Sequence, residues 1–421
     1  MSKVKKIYIL LVLVLLLFTG SCDKKANVEF DNDSLDSISI IEAQGQENFN
    51  NFHMANHDDS QILRADVYTT ASLAYRIEDG EPFSLYVISV TADVTDAVSQ
   101  DRKNIEISIN VTGENDVNGR FTSSIPISSK NGVKTIKRVV KLDKLGQASI
   151  AVNVGTSNNK IKGKLEITCP SAILLSNDTD YLTVTNEEQN IQFIFYRKDI
   201  YETTSINNED LECLIEKLAQ LRRSIKDLVG GYEPYNGVTQ YVFTENIPYT
   251  ALAGDPIYIN KSELENLFYN LEQANMSTAV HKKDLLRILC HELSHTFDNH
   301  LIASCVFDRE FFAIMKELYA FNINGYELQD DFISRSPALS SGIYSYESFL
   351  GALLEHMNLL EDNNWSYIKE TLLSLKENES GLSNAEKFQR FIGVLSDKSG
   401  VNLREKFSEP EWQTLVNHFK T

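Results

Sequence analysis

Two histidines four residues apart are the feature of this sequence whose spacing most directly suggests chemistry. They lie in LLRILCHELSHTFDNH, residues 285–300, and a glutamate directly follows the first. On a helix, residues four apart lie on one face, so His291 and His295 can direct ring nitrogens at one point. Zinc binds neutral imidazoles and keeps an open position in catalytic sites. We therefore predict that His291 and His295 bind Zn²⁺ and that Glu292 accepts a proton from water beside them.

The surroundings of this motif help to distinguish a metal site from two histidines that pack in a core. Histidine accounts for 8 of the 421 residues, so the pattern is uncommon by chance, and the helix around it is apolar at Leu286, Leu289 and Leu293. Polar groups on so apolar a helix need partners, and hydrogen-bonded core histidines would satisfy that need without a metal. The pattern is HExxH, which is typical of zinc-dependent peptidases, and we favour the metal site.

A catalytic zinc site usually has a third protein ligand, for which the sequence offers two glutamates. The extended motif HExxHxxGxxH is absent, because Asp298 replaces its glycine and Leu301 replaces its third histidine. His300 is one residue out of place. A glutamate on a later helix should then complete the site, which is the gluzincin arrangement. The candidates are Glu317 in REFFAIMKELYAF and Glu347 in YSYESFLGALLEHM.

The stretch HELSHTFDN resembles the motif helix of the lethal-factor-type peptidases, which also carry an aspartate three residues after the second histidine. Asp298 matches that aspartate, and DREFFAIMKEL resembles the helix that follows it in the family. Glu347, in ESFLGAL, occupies the place of the family's zinc-binding glutamate. The resemblance covers only the C-terminal third of the chain. It implies a zincin-like domain in which Glu347 is the third zinc ligand.

The sequence departs from that family in ways that keep an alternative open. The glycine and leucine of ESFLG are shifted relative to the family's alanine, and KELYA around Glu317 imitates the same pattern. The spacing of Glu317 also suits the enhancin-like mucin peptidases. Neither Tyr344 nor Tyr346 has the spacing of the family's oxyanion-stabilising tyrosine. Asp298 is expected to hold the ring of His295 on the side away from the metal.

The N-terminus has the features of a bacterial lipoprotein signal. Cationic residues precede an uncharged apolar run, Ile7 to Phe18, which is too short to span a bilayer. Small residues then lead to Cys22, which in such signals becomes lipid-modified. We predict a signal peptide over 1–21 and a lipid anchor at Cys22; plain secretion is the alternative. Residues 22–60 are rich in Asn, Asp, Ser and Gln, which predicts a flexible tether.

The elements that must position the site divide into two domains. Residues 61–198 contain short runs rich in Val, Ile, Thr and Tyr, and turn-forming residues separate them. This pattern predicts an antiparallel β-sandwich of immunoglobulin-like type, used as a spacer or binding module. Residues 200–421 are predicted to form a mostly helical zincin-like domain, which makes the chain α+β. It opens with an amphipathic helix near 207–231. The segment ALAGDPIYIN is predicted to be an edge strand beside which a peptide could lie extended.

Composition limits the classes of partner. The formal net charge is -19, from 40 basic and 59 acidic residues, and no basic cluster is present, which excludes nucleic acid as a partner. Apart from Cys22, the cysteines are widely spaced and form no CxxC pair, so a disulfide scaffold is not predicted. They fit small buried residues better, although a bridge between Cys290 and Cys305 remains possible.

These observations favour one hypothesis over a rival. The favoured one is a lipid-anchored zinc endopeptidase of the bacterial cell envelope, at the outer membrane or cell surface. It would act on extracytoplasmic proteins or glycoproteins, with His291, His295 and Glu347 as zinc ligands and Glu292 as general base. The rival is a surface binding lipoprotein whose sandwich captures a glycan or protein and whose zincin-like domain is inactive.

Overall fold

The computed structural model describes residues 39–42, 53–57, 60–113, 122–128, 132–203, 208–244, 247, 249–263, 279–280, 284–298, 301, 305–328, 339–359, 365–375 and 381–420. The predicted signal peptide and Cys22 lie outside these described residues. In the part of the chain that is described, no helix is both long and apolar enough to cross a bilayer.

The strands, in chain order, are β1 (Ser39–Glu42), β2 (His53–His57), β3 (Ser60–Thr69), β4 (Ala71–Glu78), β5 (Leu85–Asp93), β6 (Ala97–Ser99), β7 (Asn104–Thr112), β8 (Thr122–Ser128), β9 (Val133–Lys141), β10 (Ala148–Val154), β11 (Ile161–Thr168), β12 (Ser171–Leu174), β13 (Tyr181–Thr185), β14 (Ile191–Tyr196), β15 (Thr239–Thr244), β16 (Ala251–Leu252), β17 (Ile257–Asn260), β18 (Ala279–Val280) and β19 (Glu327–Leu328).

The strands up to β12 form two antiparallel sheets that share one core. The first sheet has the order β1-β4-β10-β7-β8. The second has the order β12-β5-β11-β3-β2, with β6 pairing with β11 and β9 with β5. Alternate residues of β7, such as Ile105 and Ile107, are buried, as are Ile88 and Leu165 from the other sheet. All four belong to one apolar cluster, so the predicted antiparallel sandwich is present.

The boundaries of the sandwich domain differ from those predicted. Strands β1 and β2 lie within residues 22–60, the predicted tether, where they extend the two sheets by pairing with β4 and β3. At the other end, β13 and β14 were predicted to belong to the sandwich but join a third sheet, with the order β13-β14-β15-β17-β16. Strand β14 pairs in parallel with β15, which in turn is parallel to β17. The C-terminal domain is therefore less purely helical than expected, because side-chain alternation does not specify which sheet a strand joins.

The described helices are α1 (Arg197–Thr203), α2 (Asn208–Leu228), α3 (Leu285–Thr296), α4 (Arg309–Ile323), α5 (Tyr346–Met357), α6 (Trp365–Leu375), α7 (Asn384–Ser399), α8 (Leu403–Lys406) and α9 (Glu409–Lys420). Short 3₁₀ turns occur at Leu175–Asn177 and Tyr235–Gly237.

Helices α2, α3 and α4 pack together beside the third sheet. The apolar stripe of α2 is buried, including Leu214, Leu218 and Ile225, which confirms the predicted amphipathic helix. Phe193 of β14 and Tyr241 of β15 face the same core. The hydroxyl of Tyr241 donates a hydrogen bond to the carbonyl of Leu289 in α3, at 3.0 Å. This contact ties the motif helix to the sheet.

Candidate metal centre

Helix α3 holds the two motif histidines on a face that is only partly covered. Its opposite side is buried through Leu289 and Leu293, which leaves the side chains of His291 and His295 17% and 14% exposed. Their Nε2 atoms lie 3.3 Å apart, and the two rings are perpendicular. One helical turn has therefore brought both nitrogens to one point, as the four-residue spacing predicts.

A glutamate on α4 completes the cluster. Glu310 Oε2 lies 3.2 Å from His291 Nε2, and Glu310 Oε1 lies 3.4 Å from His295 Nε2. Glu310 stands in the first turn of α4, where Asp308 caps the helix by accepting a hydrogen bond from the backbone of Phe311. Among the described His, Cys, Asp and Glu residues, this is the group whose ligand atoms converge closely enough to hold a metal ion.

The donor set fits zinc in type and in spacing. Ligands about 2.0–2.2 Å from a tetrahedral zinc ion lie about 3.3–3.5 Å from one another. The two Nε2 atoms lie 3.3 Å apart, and the Glu310 carboxylate lies 3.2 Å from one through Oε2 and 3.4 Å from the other through Oε1. Two imidazoles and one carboxylate are ligands that zinc binds, and they leave room for a fourth ligand in a four-coordinate site. The Glu310 side chain is 48% exposed, so solvent reaches this side of the cluster.

The electrostatics of the cluster favour a bound cation. Burial by itself lowers the pKa of His291, but hydrogen bonds with Glu310 and Glu317 outweigh it and raise that pKa to about 10. His295 shows the same balance: burial opposes its charge, while Asp298 and Glu310 raise its pKa. Hydrogen bonds from both histidines hold the pKa of Glu310 well below its usual range. The free site thus attracts positive charge, which protons supply when no metal is bound.

Each histidine is also supported at its other ring nitrogen. Glu317 Oε2 lies 3.1 Å from Nδ1 of His291, and its Oε1 pairs with Arg287 Nε at 2.5 Å. Asp298 Oδ2 lies 3.6 Å from Nδ1 of His295, and its Oδ1 pairs with the buried Lys316. A carboxylate at Nδ1 keeps the proton there and leaves the Nε2 lone pair for a metal. The predicted role of Asp298 agrees with this arrangement.

Lys316 should be important for stability as well as for the site. The side chains of Lys316 and Asp298 are 0% and 3% exposed, so Lys316→Ala leaves a buried carboxylate without this cation. We expect a loss of about 3–5 kcal/mol in the free energy of unfolding, measured by urea denaturation of the metal-free protein. As a control, Lys369→Ala removes the exposed pair with Asp227 and should cost less than about 1 kcal/mol. Similar losses in the two variants would contradict this assignment.

The carboxylate that converges with the two histidines is Glu310, which was neither of the sequence candidates. Glu347, the predicted ligand, lies in the first turn of α5 and is not part of the convergent group. Glu317 does reach His291, but at Nδ1 rather than at the metal-facing Nε2. Glu310 precedes Glu317 by seven residues on the same helix, so both share one face two turns apart. That repeat was the signal in the sequence, and it predicts two carboxylates facing α3.

Two possibilities that the sequence analysis did not favour are settled by contacts in the structure. The hydroxyl of Tyr344 hydrogen-bonds to Asp308, the residue that caps α4, and its ring stacks on His418, so it is a packing residue. Tyr344 therefore supports the helix end that carries Glu310. The possible bridge between Cys290 and Cys305 is not formed, because both are free and buried. They are small core residues, as the composition favoured.

Glu292 lies beside the cluster and near the edge of the third sheet. The edge strand β16 packs against α3, the helix that carries Glu292. Burial raises the pKa of Glu292, and the neighbouring His295 and His291 partly offset that rise. A carboxylate with a raised pKa is a stronger base, which suits a group that must take and return a proton.

Comparison with known proteins shows similarity in fold only. No protein-family model and no curated protein matches the sequence. The structure is similar to a metallopeptidase from Bacteroides thetaiotaomicron, with 14% identity and a TM-score of 0.40, over 77% of this chain and 58% of that one. This chain thus spans less than two thirds of the length of that metallopeptidase. Two carbohydrate-binding modules from Clostridium thermocellum, of families 35 and 11, are 13% and 16% identical. They cover 31% and 34% of this chain and 98% and 92% of their own, with TM-scores of 0.20 and 0.19.

Proposed function

We propose that this protein is a zinc-dependent endopeptidase. The observation that carries the proposal is the convergence of His291 Nε2, His295 Nε2 and the Glu310 carboxylate. The two nitrogens lie 3.3 Å apart, Glu310 Oε2 lies 3.2 Å from the first, and Glu310 Oε1 lies 3.4 Å from the second. A structural zinc site would be closed by a fourth protein ligand. Among the described residues no fourth ligand joins this group, and Glu292, a carboxylate suited to proton transfer, directly follows His291.

The protein residues have distinct roles in this reaction. Bound zinc would act as a Lewis acid that polarises the scissile carbonyl and makes water more acidic. Glu292 accepts the proton of the attacking water and then delivers it to the nitrogen of the leaving amine. Glu317 and Asp298 hold the two imidazoles with Nε2 directed at the metal.

A peptide substrate would bind along the edge of the third sheet. Strand β16 is at that edge, antiparallel to β17, and it packs next to α3. An extended peptide can add to such an edge through main-chain hydrogen bonds, which are independent of sequence. Because β16 packs against the helix that carries Glu292, a peptide on this edge would pass beside the proposed base. Main-chain binding of this kind suits an endopeptidase that acts on proteins or glycoproteins.

The proposed location is the bacterial cell envelope, with the protein attached to the outer membrane or cell surface through lipid on Cys22. The support for this location is the signal-like sequence over residues 1–21 and Cys22, which directly follows it. Incorporation of labelled palmitate should therefore require Cys22, and labelling that persists in Cys22→Ser would contradict the anchor. The substrates would then be extracytoplasmic.

The function is tested with the purified chain from residue 23, which retains β1 and β2. We expect one zinc ion per molecule by elemental analysis, and cleavage of internal bonds in a mixed peptide library by mass spectrometry. A zinc chelator should abolish cleavage, and added zinc should restore it, because the ligands remain intact when the metal leaves. One tightly held zinc ion without cleavage of any peptide would instead favour the binding lipoprotein, with the C-terminal domain inactive.

A further inference from the structure

The sandwich and the third sheet are joined by a buried interface. Val87 and Val139 from the sandwich form one apolar cluster with Ile194, Val242 and Tyr258 from the third sheet. The hydroxyl of Tyr258 donates to the carbonyl of Val139 at 3.0 Å. The sandwich thus contacts the site-bearing domain through packed side chains.

An ion pair crosses the same interface. Lys141, the last residue of β9, has its Nζ atom 2.8 Å from Oδ2 and 3.0 Å from Oδ1 of Asp255. The two side chains are only 5% and 3% exposed. Close beside them, the Arg138 guanidinium lies over the ring of Tyr258, 5.4 Å from its centroid. A buried pair with this geometry restrains both partners, because either charge is costly to leave alone in the interior.

The carboxylate held by Lys141 belongs to the turn that follows β16. Asp255 lies in residues 253–256, which connect β16 to β17. Ala253, two residues before Asp255, directly follows β16, and β16 packs against α3, the helix that carries Glu292. A side chain of the sandwich is therefore linked through one short turn to the strand that packs beside this helix.

We propose that Lys141 is a positioning residue for the site. It holds Asp255 within the turn 253–256, and it thereby keeps β16, which leads into that turn, against the helix that carries Glu292. The sandwich then contributes to catalysis, because β16 and Glu292 lose their relative position when the ion pair between Lys141 and Asp255 is absent. The expected fall in kcat rests on the function proposed above, whereas the expected change in hydrogen exchange of the turn does not.

The test uses two variants that separate positioning from folding. Lys141→Met removes the ion pair but leaves Asp255 buried without this cation, so it can fail to fold. Lys141→Met/Asp255→Asn removes both charges of the pair, so it leaves no unpaired carboxylate at position 255 and should fold. Lys141→Arg keeps the cation and should retain activity within about threefold. The matched control is Lys134→Met, which removes the same charge from an exposed position on the same strand.

Two readouts decide the outcome. In the folded double variant we expect amide hydrogen exchange in residues 251–256 to accelerate at least tenfold, because the turn opens more often. We expect kcat to fall at least tenfold, with KM and zinc affinity within about threefold of wild type, because zinc binding does not involve this turn. If the double variant has the same kcat as the wild type and the same hydrogen exchange in residues 251–256, the inference is wrong. If the wild type proves to lack peptidase activity, the exchange measurement still decides whether Lys141 holds the turn at residues 253–256 in place.

Discussion

Glu310→Ala should lower the affinity for zinc by more than about 100-fold, the largest binding effect expected for any acidic residue outside the HExxH motif. Residues that act on a metal only through its ligands typically change affinity 10–100-fold, and a ligand should exceed that range. Glu310 faces both Nε2 atoms, whereas Glu347 is outside the convergent group. Glu347→Ala should therefore change zinc affinity less than threefold. Competition with a fluorescent zinc chelator measures both constants.

A third variant makes this experiment stricter. Glu317→Gln keeps the size of the side chain but removes the charge that faces Nδ1 of His291, so it should weaken zinc binding about 10–100-fold, between the other two variants. Circular dichroism of the metal-free proteins confirms that all three are folded. An affinity loss in Glu347→Ala larger than in Glu310→Ala would restore the ligand expected from the family resemblance.

Glu292→Gln should reduce kcat for peptide cleavage by about 10²–10⁴-fold, the range observed when general acid–base catalysis is lost. The amide has nearly the shape of the carboxylate but cannot accept and return a proton at neutral pH. Zinc content should remain at one ion per molecule, because Glu292 is not among the converging ligand atoms. Initial rates on the best peptide from the library, with zinc in excess, give the ratio.

The control for this variant is Glu355→Gln, which makes the same change at an exposed position on α5 and should leave the rate unaltered. The result must also be distinguished from loss of metal, so zinc is determined on the same samples. A Glu292→Gln protein that cleaves peptides at the wild-type rate would rule out the proposed proton transfer, although not the metal centre itself.

Local patterns in the sequence were sufficient wherever spacing alone determines geometry. The four-residue interval of His291 and His295 places both on one helical face, and the alternation of Ile105, Ile107 and Ile109 places them in one core. The apolar stripe of α2 similarly predicted a helix with one buried side. These features follow from the regular repeat of a helix or a strand, and that repeat involves only residues that are close together in the sequence.

Such patterns do not predict contacts between segments that are far apart in the sequence. The sequence contains Glu310, Glu317 and Glu347, each on a helix, and nothing local determines which of them faces α3. The packing of α4 against α3 made that choice, because it turns the face carrying residues 310 and 317 towards the histidines. The family resemblance favoured Glu347 through similarity of order along the chain, which does not specify helix packing.

From the sequence alone it follows that one helix carries His291, Glu292 and His295 and that a β-sandwich precedes it. The folded chain adds that Glu310 is the carboxylate that converges with the two histidines, that β13 and β14 belong to the third sheet, and that Lys141 of the sandwich pairs with Asp255. This difference arises because helix and strand periods are local properties of the backbone. Packing instead satisfies burial and charge across residues as far apart as 141 and 255, which contact only after the chain has folded.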